Sequence, residues 1–125
     1  MAGNINKVIL IGNLGHDPEM RGTQTGGSVI VFNLATSESW RDRTSGERRE
    51  HTEWHHIAIF DEQLAAIAWR YLRKGSKVYL EGRLHTRQWE DQQGQQCSTT
   101  EIVLSQHRGK LVMLDGRRDA GNGST

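Results

Sequence analysis

The chain has 125 residues, the length of a single domain, and its 16 Lys and Arg residues nearly balance 15 Asp and Glu residues, giving a net charge of +1. It contains no run of about 18 apolar residues and no basic, apolar leader, so neither a membrane-spanning helix nor a secretory signal is expected. The single cysteine, Cys97, excludes an internal disulfide and a four-cysteine zinc site. We therefore expect a soluble, intracellular protein of one domain.

Alternating and β-branched apolar residues predict six strands, separated by glycine-rich turns or charged loops. The strands span residues 7–12, 28–40, 52–60, 78–89, 99–104 and 110–114. Between the second and third strands, residues 41–50 contain no apolar side chain and predict an exposed hairpin loop. In the third strand, one face carries Trp54, His56, Ala58 and Phe60, and the other carries His55, Ile57 and Ile59.

A change of period after residue 60 predicts one helix between the third and fourth strands. The apolar stripe of this helix runs through Leu64, Ile67, Ala68, Tyr71 and Leu72. Asp61 is the expected N-cap and Gly75 the expected stop, and Tyr71 is expected to pack in the core. Trp69 lies off the stripe and is interpreted as a packing or partner contact rather than as a stacking platform. Many strands with one short helix predict a small, partly closed barrel.

Positive charge is concentrated in residues 70–87, where six basic side chains accompany a single acidic one, Glu81. The basic residues are Arg70, Arg73, Lys74, Lys77, Arg83 and Arg87. Such a block in an otherwise neutral chain is consistent with binding of a polyanion. The alternative, a solvated charged face, stays open at this point.

Four aromatic side chains do not fit a core: Trp40, Trp54, Phe60 and Trp89. Trp40 and Trp89 are flanked by charged and polar residues, where strands run into loops. Trp54 and Phe60 project from the same strand face roughly 20 Å apart. Flat rings on a polar strand face suit the faces of unpaired bases, which a duplex hides. The alternative is that each tryptophan caps the barrel or fills an interface.

Five segments form a series: residues 6–15 (NKVILIGNLG), 17–19 (DPE), 34–42 (LATSESWRD), 52–55 (TEWH) and 71–82 (YLRKGSKVYLEG). In this order they resemble the bacterial single-stranded DNA-binding proteins, and the resemblance runs from residue 4 to residue 114. It implies an all-β OB-fold, a five-stranded Greek-key barrel with one helix between strands 3 and 4 and an additional short C-terminal strand. The domain is then residues 1–114, followed by a flexible segment, residues 115–125.

The resemblance also implies a function. Proteins of this family bind and wrap single-stranded DNA without sequence preference and protect it during replication, recombination and repair. A homotetramer in the bacterial cytoplasm, associated with the nucleoid, is implied, with no membrane contact, cofactor, metal or enzymatic activity. The family's usual acidic tip ends in Pro-Phe, but Pro18 is the only proline here. Recruitment of replication and repair proteins through such a tip is therefore not expected from this chain.

Carried over residue by residue, the resemblance implies a set of DNA-binding positions. They are Trp40, Trp54, His55, His56, Ile57, Ala58, Ile59, Phe60, Tyr71, Lys74, Arg87 and Trp89. Trp40, Trp54, Phe60 and Trp89 match the main stacking positions, and Tyr71, Lys74 and Arg87 match lesser contacts. His55 also matches a position linked to tetramer stability. From the residues alone, a satisfied interior histidine is an equal alternative for His55.

Three rival functions are weighed against this hypothesis. An enzyme is disfavoured, because adjacent His55 and His56 point to opposite faces of a strand and no metalloprotease or phosphate-loop motif occurs. An OB-fold that binds RNA or acts as a primosome accessory is not excluded by fold alone, although the tryptophan spacing favours single-stranded DNA. A purely structural oligomer is the third alternative.

Overall fold

The computed structural model describes residues 3–23 and 26–115, and these ranges contain seven strands and one helix. The strands are β1 (Val8–Leu14), β2 (Glu19–Gly22), β3 (Ser28–Arg41), β4 (Arg48–Ile59), β5 (Lys77–Glu90), β6 (Gln96–Leu104) and β7 (Lys110–Met113). The helix, α1 (Glu62–Tyr71), lies between β4 and β5. The C-terminal segment that was expected to be flexible lies, from residue 116 onward, outside the described residues.

Five of the strands close into a barrel. Hydrogen-bonded neighbours follow the order β1, β3, β4, β6, β5, and β5 pairs again with β1 to complete the circuit. These pairings are antiparallel except the one between β4 and β6. Because α1 connects β4 to β5, it lies between the third and fourth strands of the barrel. The expected fold class is therefore confirmed, with β7 as the additional short strand beside β5.

Alternation along the long strands fills the barrel with apolar side chains. The buried cluster consists of Leu14, Ile30, Phe32, Leu34, Ile57, Ile59, Val78, Leu80, Ile102 and Leu104, joined by Ala65, Ala68 and Leu72 from the helix region. Burying one large side chain, such as Phe32 or Leu34, stabilises the fold by about 1.5–3 kcal/mol. The packed interior of the barrel thus fixes the strands, and with them the positions of their outward-facing side chains.

The helix begins as predicted. Oδ1 of Asp61 accepts hydrogen bonds from the backbone N–H groups of Gln63 (2.9 Å) and Leu64 (3.2 Å). This N-cap satisfies two donors that have no partner inside the helix. The helix has ten residues, and no helix in the described part of the chain is long and apolar enough to cross a membrane.

The end of the helix differs from the prediction. It stops at Tyr71, and Gly75, at φ +90°, then turns the chain toward β5. The predicted core role of Tyr71 is wrong, because its side chain is 56% exposed. The buried face runs instead through Ala65 and Ala68 to Leu72, so Tyr71 is available at the surface.

Two strand regions also differ from the prediction. The strand β2 was not predicted, because its four residues are all exposed and show no alternation, yet it pairs with β3 through partners such as Arg21 and Val29. The predicted loop over residues 41–50 is shorter, because β3 and β4 remain paired as far as Arg41 and Arg48. The outer part of this hairpin, residues 38–51, is here called the arm. Its side chains are almost all exposed, so no apolar alternation marks its strands.

Candidate nucleic-acid interface

A polar cleft of about 390 Å³ crosses the barrel surface where β2, β3, β4 and the β5–β6 hairpin meet. The polar side chains that line it include Arg21, Asn33, His56, Arg87, Thr99 and Glu101. The central strands supply Asn33 and His56, and Nδ1 of His56 donates to Oδ1 of Asn33 at 2.8 Å. Strand β2 supplies Arg21 on one side, and β5 supplies Arg87 on the other. The cleft therefore brings two guanidinium groups to the sides of a central imidazole.

Trp54 stands on the same face of β4 as His56. Its indole lies against the backbone of Gly15, where an added β-carbon would come within 2.4 Å of ring atom Cζ3. The side chain is nevertheless 56% exposed. The packing against Gly15 fixes the ring while leaving much of its surface open to a ligand.

Trp89 is also held in a defined orientation. Its indole Nε1–H donates to Oγ1 of Thr99 on the neighbouring strand, at 2.9 Å, and the side chain is 41% exposed. Arg87 lies two residues away on the same face of β5 and faces Thr99 directly. Trp89 therefore extends the wall of the polar cleft with an aromatic surface.

The other two predicted rings lie at the ends of β3 and β4. Trp40 is on the arm, opposite Arg49, and is 49% exposed. Phe60 follows β4 directly; its backbone N–H donates to the carbonyl of Leu104 at 2.9 Å, and its ring is 47% exposed. All four predicted stacking rings are exposed. This exposure agrees with the prediction from the strand pattern.

Ile57, Ala58 and Ile59 are a correction to the predicted site. Their side chains are 1%, 3% and 0% exposed. A side chain enclosed by its own protein cannot touch a bound strand, so Ala58 and Ile59 support the interface from below. Ile57 is among the residues that line the polar cleft, although little of it is exposed. Of the stretch 54–60, the outward side chains are Trp54, His56 and Phe60.

His55 occupies the opposite face of β4 from Trp54. Its ring is half-buried, and Nε2 lies 2.9 Å from Oγ1 of Thr36 on the adjacent strand. This hydrogen bond fits the interpretation as a satisfied histidine and also fixes the ring at the base of the arm. Its predicted roles in DNA binding and in subunit contact remain predictions.

Four of the six basic residues of the block at residues 70–87 lie in two places. Arg87 lies in the cleft, where its Nε is 3.4 Å from Oε2 of Glu101. Arg70, Arg73 and Lys74 lie at the end of α1, beside the exposed Tyr71 ring, with the Arg70 guanidinium carbon 5.7 Å from its centroid. The backbone N–H of Lys74 donates to Oδ1 of Asp17 at 2.8 Å, which fixes the predicted contact residue to the loop after β1.

The tip of the arm is shaped by Asp42. Its Oδ1 accepts from the backbone N–H groups of Thr44 (2.8 Å) and Ser45 (3.3 Å), and Oδ2 lies 3.4 Å from Nε of Arg49. These hydrogen bonds, led by the one from Thr44, hold the pKa of the Asp42 carboxyl below its usual value. The ionised carboxylate therefore orders the loop beside Trp40.

Arg21 is a candidate contact that the sequence analysis missed. It lies in the cleft opposite Arg87, and its Nη2 is 3.1 Å from Oε1 of Glu19 in the same short strand. The only sequence signal was the basic side chain itself, because β2 was not recognised as a strand that borders β3.

The surface of this closed barrel combines exposed aromatic rings with a cleft that is lined by two arginines. This architecture is typical of barrels that bind single-stranded nucleic acids. The chain matches the Single-strand binding protein family over residues 5–114, and it belongs to that family. The family comprises DNA-binding proteins without enzymatic activity, as expected from the sequence.

Similar proteins support this assignment. The chain is 53% identical over 124 residues to the single-stranded DNA-binding protein of Rhizobium meliloti, a match that covers 99% of this chain and 71% of the relative. It is 53% identical over 117 residues to the single-stranded DNA-binding protein of Rickettsia conorii, covering 94% of this chain and 77% of the relative. A solved structure of a Plasmodium falciparum SSB complex with ssDNA has a TM-score of 0.80 at 41% identity, covering 92% of this chain and 99% of that chain. This likeness confirms the OB-fold.

Proposed function

We propose that this protein binds single-stranded DNA without sequence preference, by stacking unpaired bases on Trp40, Trp54, Phe60 and Trp89. The observation that carries the proposal is the exposure of all four rings, between 41% and 56%, on a barrel whose core is otherwise well filled. Every base has a π-face, so stacking needs no particular sequence. In barrels of this kind each stacked base contributes about 1–3 kcal/mol.

Two of the rings are prepared for binding. Trp54 rests on Gly15, and Trp89 is hydrogen-bonded to Thr99. Because these side chains are already ordered, less conformational entropy is lost when a base stacks on them. Duplex DNA hides its base faces and offers these rings nothing to stack on, so the surface selects single strands.

The sugar-phosphate backbone is held by basic and polar groups between and beside the rings. Arg21 and Arg87 lie in the cleft, and Lys74 and Tyr71 lie at the end of α1. Each cleft arginine is at least 47% exposed and pairs with a carboxylate, Glu19 or Glu101. On binding, each arginine therefore exchanges its carboxylate partner for a phosphate, and the counterions released from DNA make binding sensitive to salt.

A second surface supports self-association into the proposed homotetramer. The side of β1, β5 and β7 that points away from the barrel interior is here called the outer face. It carries Ile9 (54% exposed), Ile11 (51%), Tyr79 and Val112 (43%). A contiguous apolar patch on a strand wall is typical of a subunit contact. Beside it, Glu81 accepts from the Tyr79 hydroxyl and pairs with Lys7 at 3.2 Å. His55, at the base of the arm, is proposed as a further subunit contact.

The biological role follows from these properties. A tetramer that stacks bases on several protomers wraps a strand around itself and protects it from nucleases and from re-pairing. This protection serves DNA replication, recombination and repair in the bacterial cytoplasm, at the nucleoid. The naming of similar proteins from Rhizobium meliloti and Rickettsia conorii as single-stranded DNA-binding proteins supports the assignment.

Titration of the intrinsic tryptophan fluorescence tests the binding function. The ligand is oligo-dT of about 35 nucleotides, longer than two sites of ~16 nucleotides per OB-fold, and oligo-rU and duplex DNA of equal length are the comparisons. We expect saturable quenching by oligo-dT, weaker binding of oligo-rU, no comparable binding of duplex, and affinity that falls as salt rises. Equal affinity for oligo-rU would favour the RNA-binding rival, and unchanged emission would favour a structural oligomer.

Light scattering tests the subunit contact. Ile11→Asp places a charge in the outer face and is expected to reduce the mass of the assembly. Ile5→Asp is the matched control, because Ile5 is 93% exposed and precedes β1. An assembly mass that does not change with Ile11→Asp would rule out the outer face as the subunit contact.

A further inference from the structure

A second depression is lined by Phe60 and not by Trp54. It is a groove of about 680 Å³ between the β2–β3 hairpin and α1. Its lining includes Met20, Phe60, Ala66 and Trp69. Met20 is 50% exposed, and Phe60 and Trp69 are each 47% exposed. The groove is thus open and largely apolar. One of its aromatic rings comes from Phe60, directly after β4, and the other from Trp69 on α1.

Phe60 connects this groove to the proposed DNA-binding surface. It lies at the end of the strand that carries Trp54 and His56 on its outward face, and it also lines the groove. A DNA strand that stacks on Trp54 and then on Phe60 has reached the edge of the groove. The next aromatic surface beyond that edge is Trp69.

The charges on α1 favour a polyanion at this place. Arg70, Arg73 and Lys74 lie at the C-terminal end of the helix, within five residues of Trp69. In the part of the chain that the structure describes, none of these three cations is in an ion pair. Glu62, at the opposite end of the helix, is the one acidic residue among the described groove residues. Nη1 of Arg73 donates to the backbone carbonyls of Trp69 (3.3 Å) and Leu72 (2.7 Å), which places its charge beside Trp69.

We propose that Trp69 is a fifth base-stacking residue, and that the groove extends the path of single-stranded DNA from Phe60 across α1. This inference rests on the proposed stacking function of Trp54 and Phe60. It replaces the sequence-based interpretation of Trp69 as a packing or partner contact.

Binding of fluorescently labelled oligo-dT of about 35 nucleotides, followed by anisotropy, tests the role of Trp69. Trp69→Ala is expected to weaken binding by about fivefold or more, and Trp69→Phe, which keeps a ring, by no more than about twofold. Ile67→Ala is the matched control, because Ile67 is an exposed apolar residue of the same helix that does not line the groove. Wild-type affinity in Trp69→Ala would overturn the proposal.

Direct contact between Trp69 and DNA is measured by the fluorescence of Trp69. The chain has four tryptophans, so the variant with Trp40, Trp54 and Trp89 changed to Phe reports the emission of Trp69 alone. Oligo-dT at saturation by anisotropy is expected to quench this emission, and an unchanged spectrum would overturn the proposal. A change of assembly mass in Trp69→Ala, measured by light scattering, would overturn it in favour of a subunit contact.

Trp54→Ala separates this inference from the proposed function. If Trp54→Ala weakens binding and Trp69→Ala does not, only the groove is excluded from the path. If Trp54→Ala binds as the wild type does, the proposed stacking surface itself fails, and a loss in Trp69→Ala would then locate DNA binding elsewhere.

Discussion

The indole of Trp54 rests on the backbone of Gly15: a β-carbon at Gly15 would stand 2.4 Å from ring atom Cζ3 and 2.8 Å from Cη2. The N–H of Gly15 donates to the carbonyl of Asn33 at 3.0 Å, which ties this support to β3. One side of the ring is therefore braced by the barrel, while the side chain stays 56% exposed. Gly15, directly after β1, thereby orients the ring of Trp54 on β4.

Gly15→Val is expected to displace the Trp54 ring, because the new side chain would occupy the space of Cζ3. The affinity for oligo-dT should fall by an amount up to the contribution of one stacked base, about 1–3 kcal/mol. Fluorescence titration measures the change. Gly22→Val is the control, since a β-carbon at Gly22 meets nothing within 4 Å. Equal affinities in the two variants would contradict the role assigned to Gly15.

Thr99→Val removes the acceptor that orients Trp89 while nearly conserving side-chain volume. We expect a loss of DNA affinity of about 0.5–1.5 kcal/mol, the usual net contribution of one hydrogen bond. Thr100→Val is a matched control, because it removes the contact between Thr100 and Thr86 on the other face of the hairpin. If both valine variants lose affinity equally, the effect belongs to the hairpin and not to the orientation of Trp89.

Asp61→Ala removes the N-cap of α1 without touching the four stacking rings. The free energy of unfolding should decrease by about 0.5–2 kcal/mol, while the affinity for oligo-dT at a temperature where the variant is folded should not change. Urea denaturation followed by circular dichroism measures the stability. Gln63→Ala, a change in the first turn that leaves the cap in place, should have a smaller effect.

The pair formed by Tyr79 and Glu81 predicts a pH dependence of stability. The hydrogen bond to Glu81 raises the pKa of Tyr79 above its usual value of 10.0, and the bond from Tyr79, followed by that from Lys7, lowers the pKa of Glu81 below its usual value of 4.5. The contribution of Tyr79 is present below pH 10.0 and is lost as the pH rises through its folded pKa. The contribution of Glu81 is present above pH 4.5 and is lost as the pH falls through its folded pKa.

Tyr79→Phe tests this pH dependence. The difference in unfolding free energy between the wild type and Tyr79→Phe should be largest between pH 4.5 and pH 10.0. It should shrink as the pH moves further into the acid or the alkaline range. Urea denaturation across a pH series provides the comparison. A difference that does not vary with pH would show that the hydrogen bond does not couple the two groups.

The barrel was predictable because its long strands bury one face. Ile30, Phe32 and Leu34 alternate with outward residues, and Asp61 marks the helix start through a local capping preference. The strand β2 was not predictable, because it has no buried residue and depends on pairing with β3. The burial of Ala58 was also missed, since periodicity alone placed it with Trp54 on an open face.

The candidate site was predictable to the extent that polar surroundings reveal an aromatic ring on the surface. Trp40, Trp54, Phe60 and Trp89 were identified in this way. Contacts made through space left no trace in the sequence. Neither the support of Trp54 by Gly15 nor the position of Arg21 across the cleft from Arg87 follows from any local pattern, because each joins elements that meet only in the folded barrel.

The most direct test of the central claim is a structure of this protein bound to oligo-dT. We expect thymine rings parallel to the indoles of Trp54 and Trp89 and to the ring of Phe60, at contact distances of about 3.5–4.0 Å. Thymines bound on another surface, with these three rings still uncovered, would contradict the account.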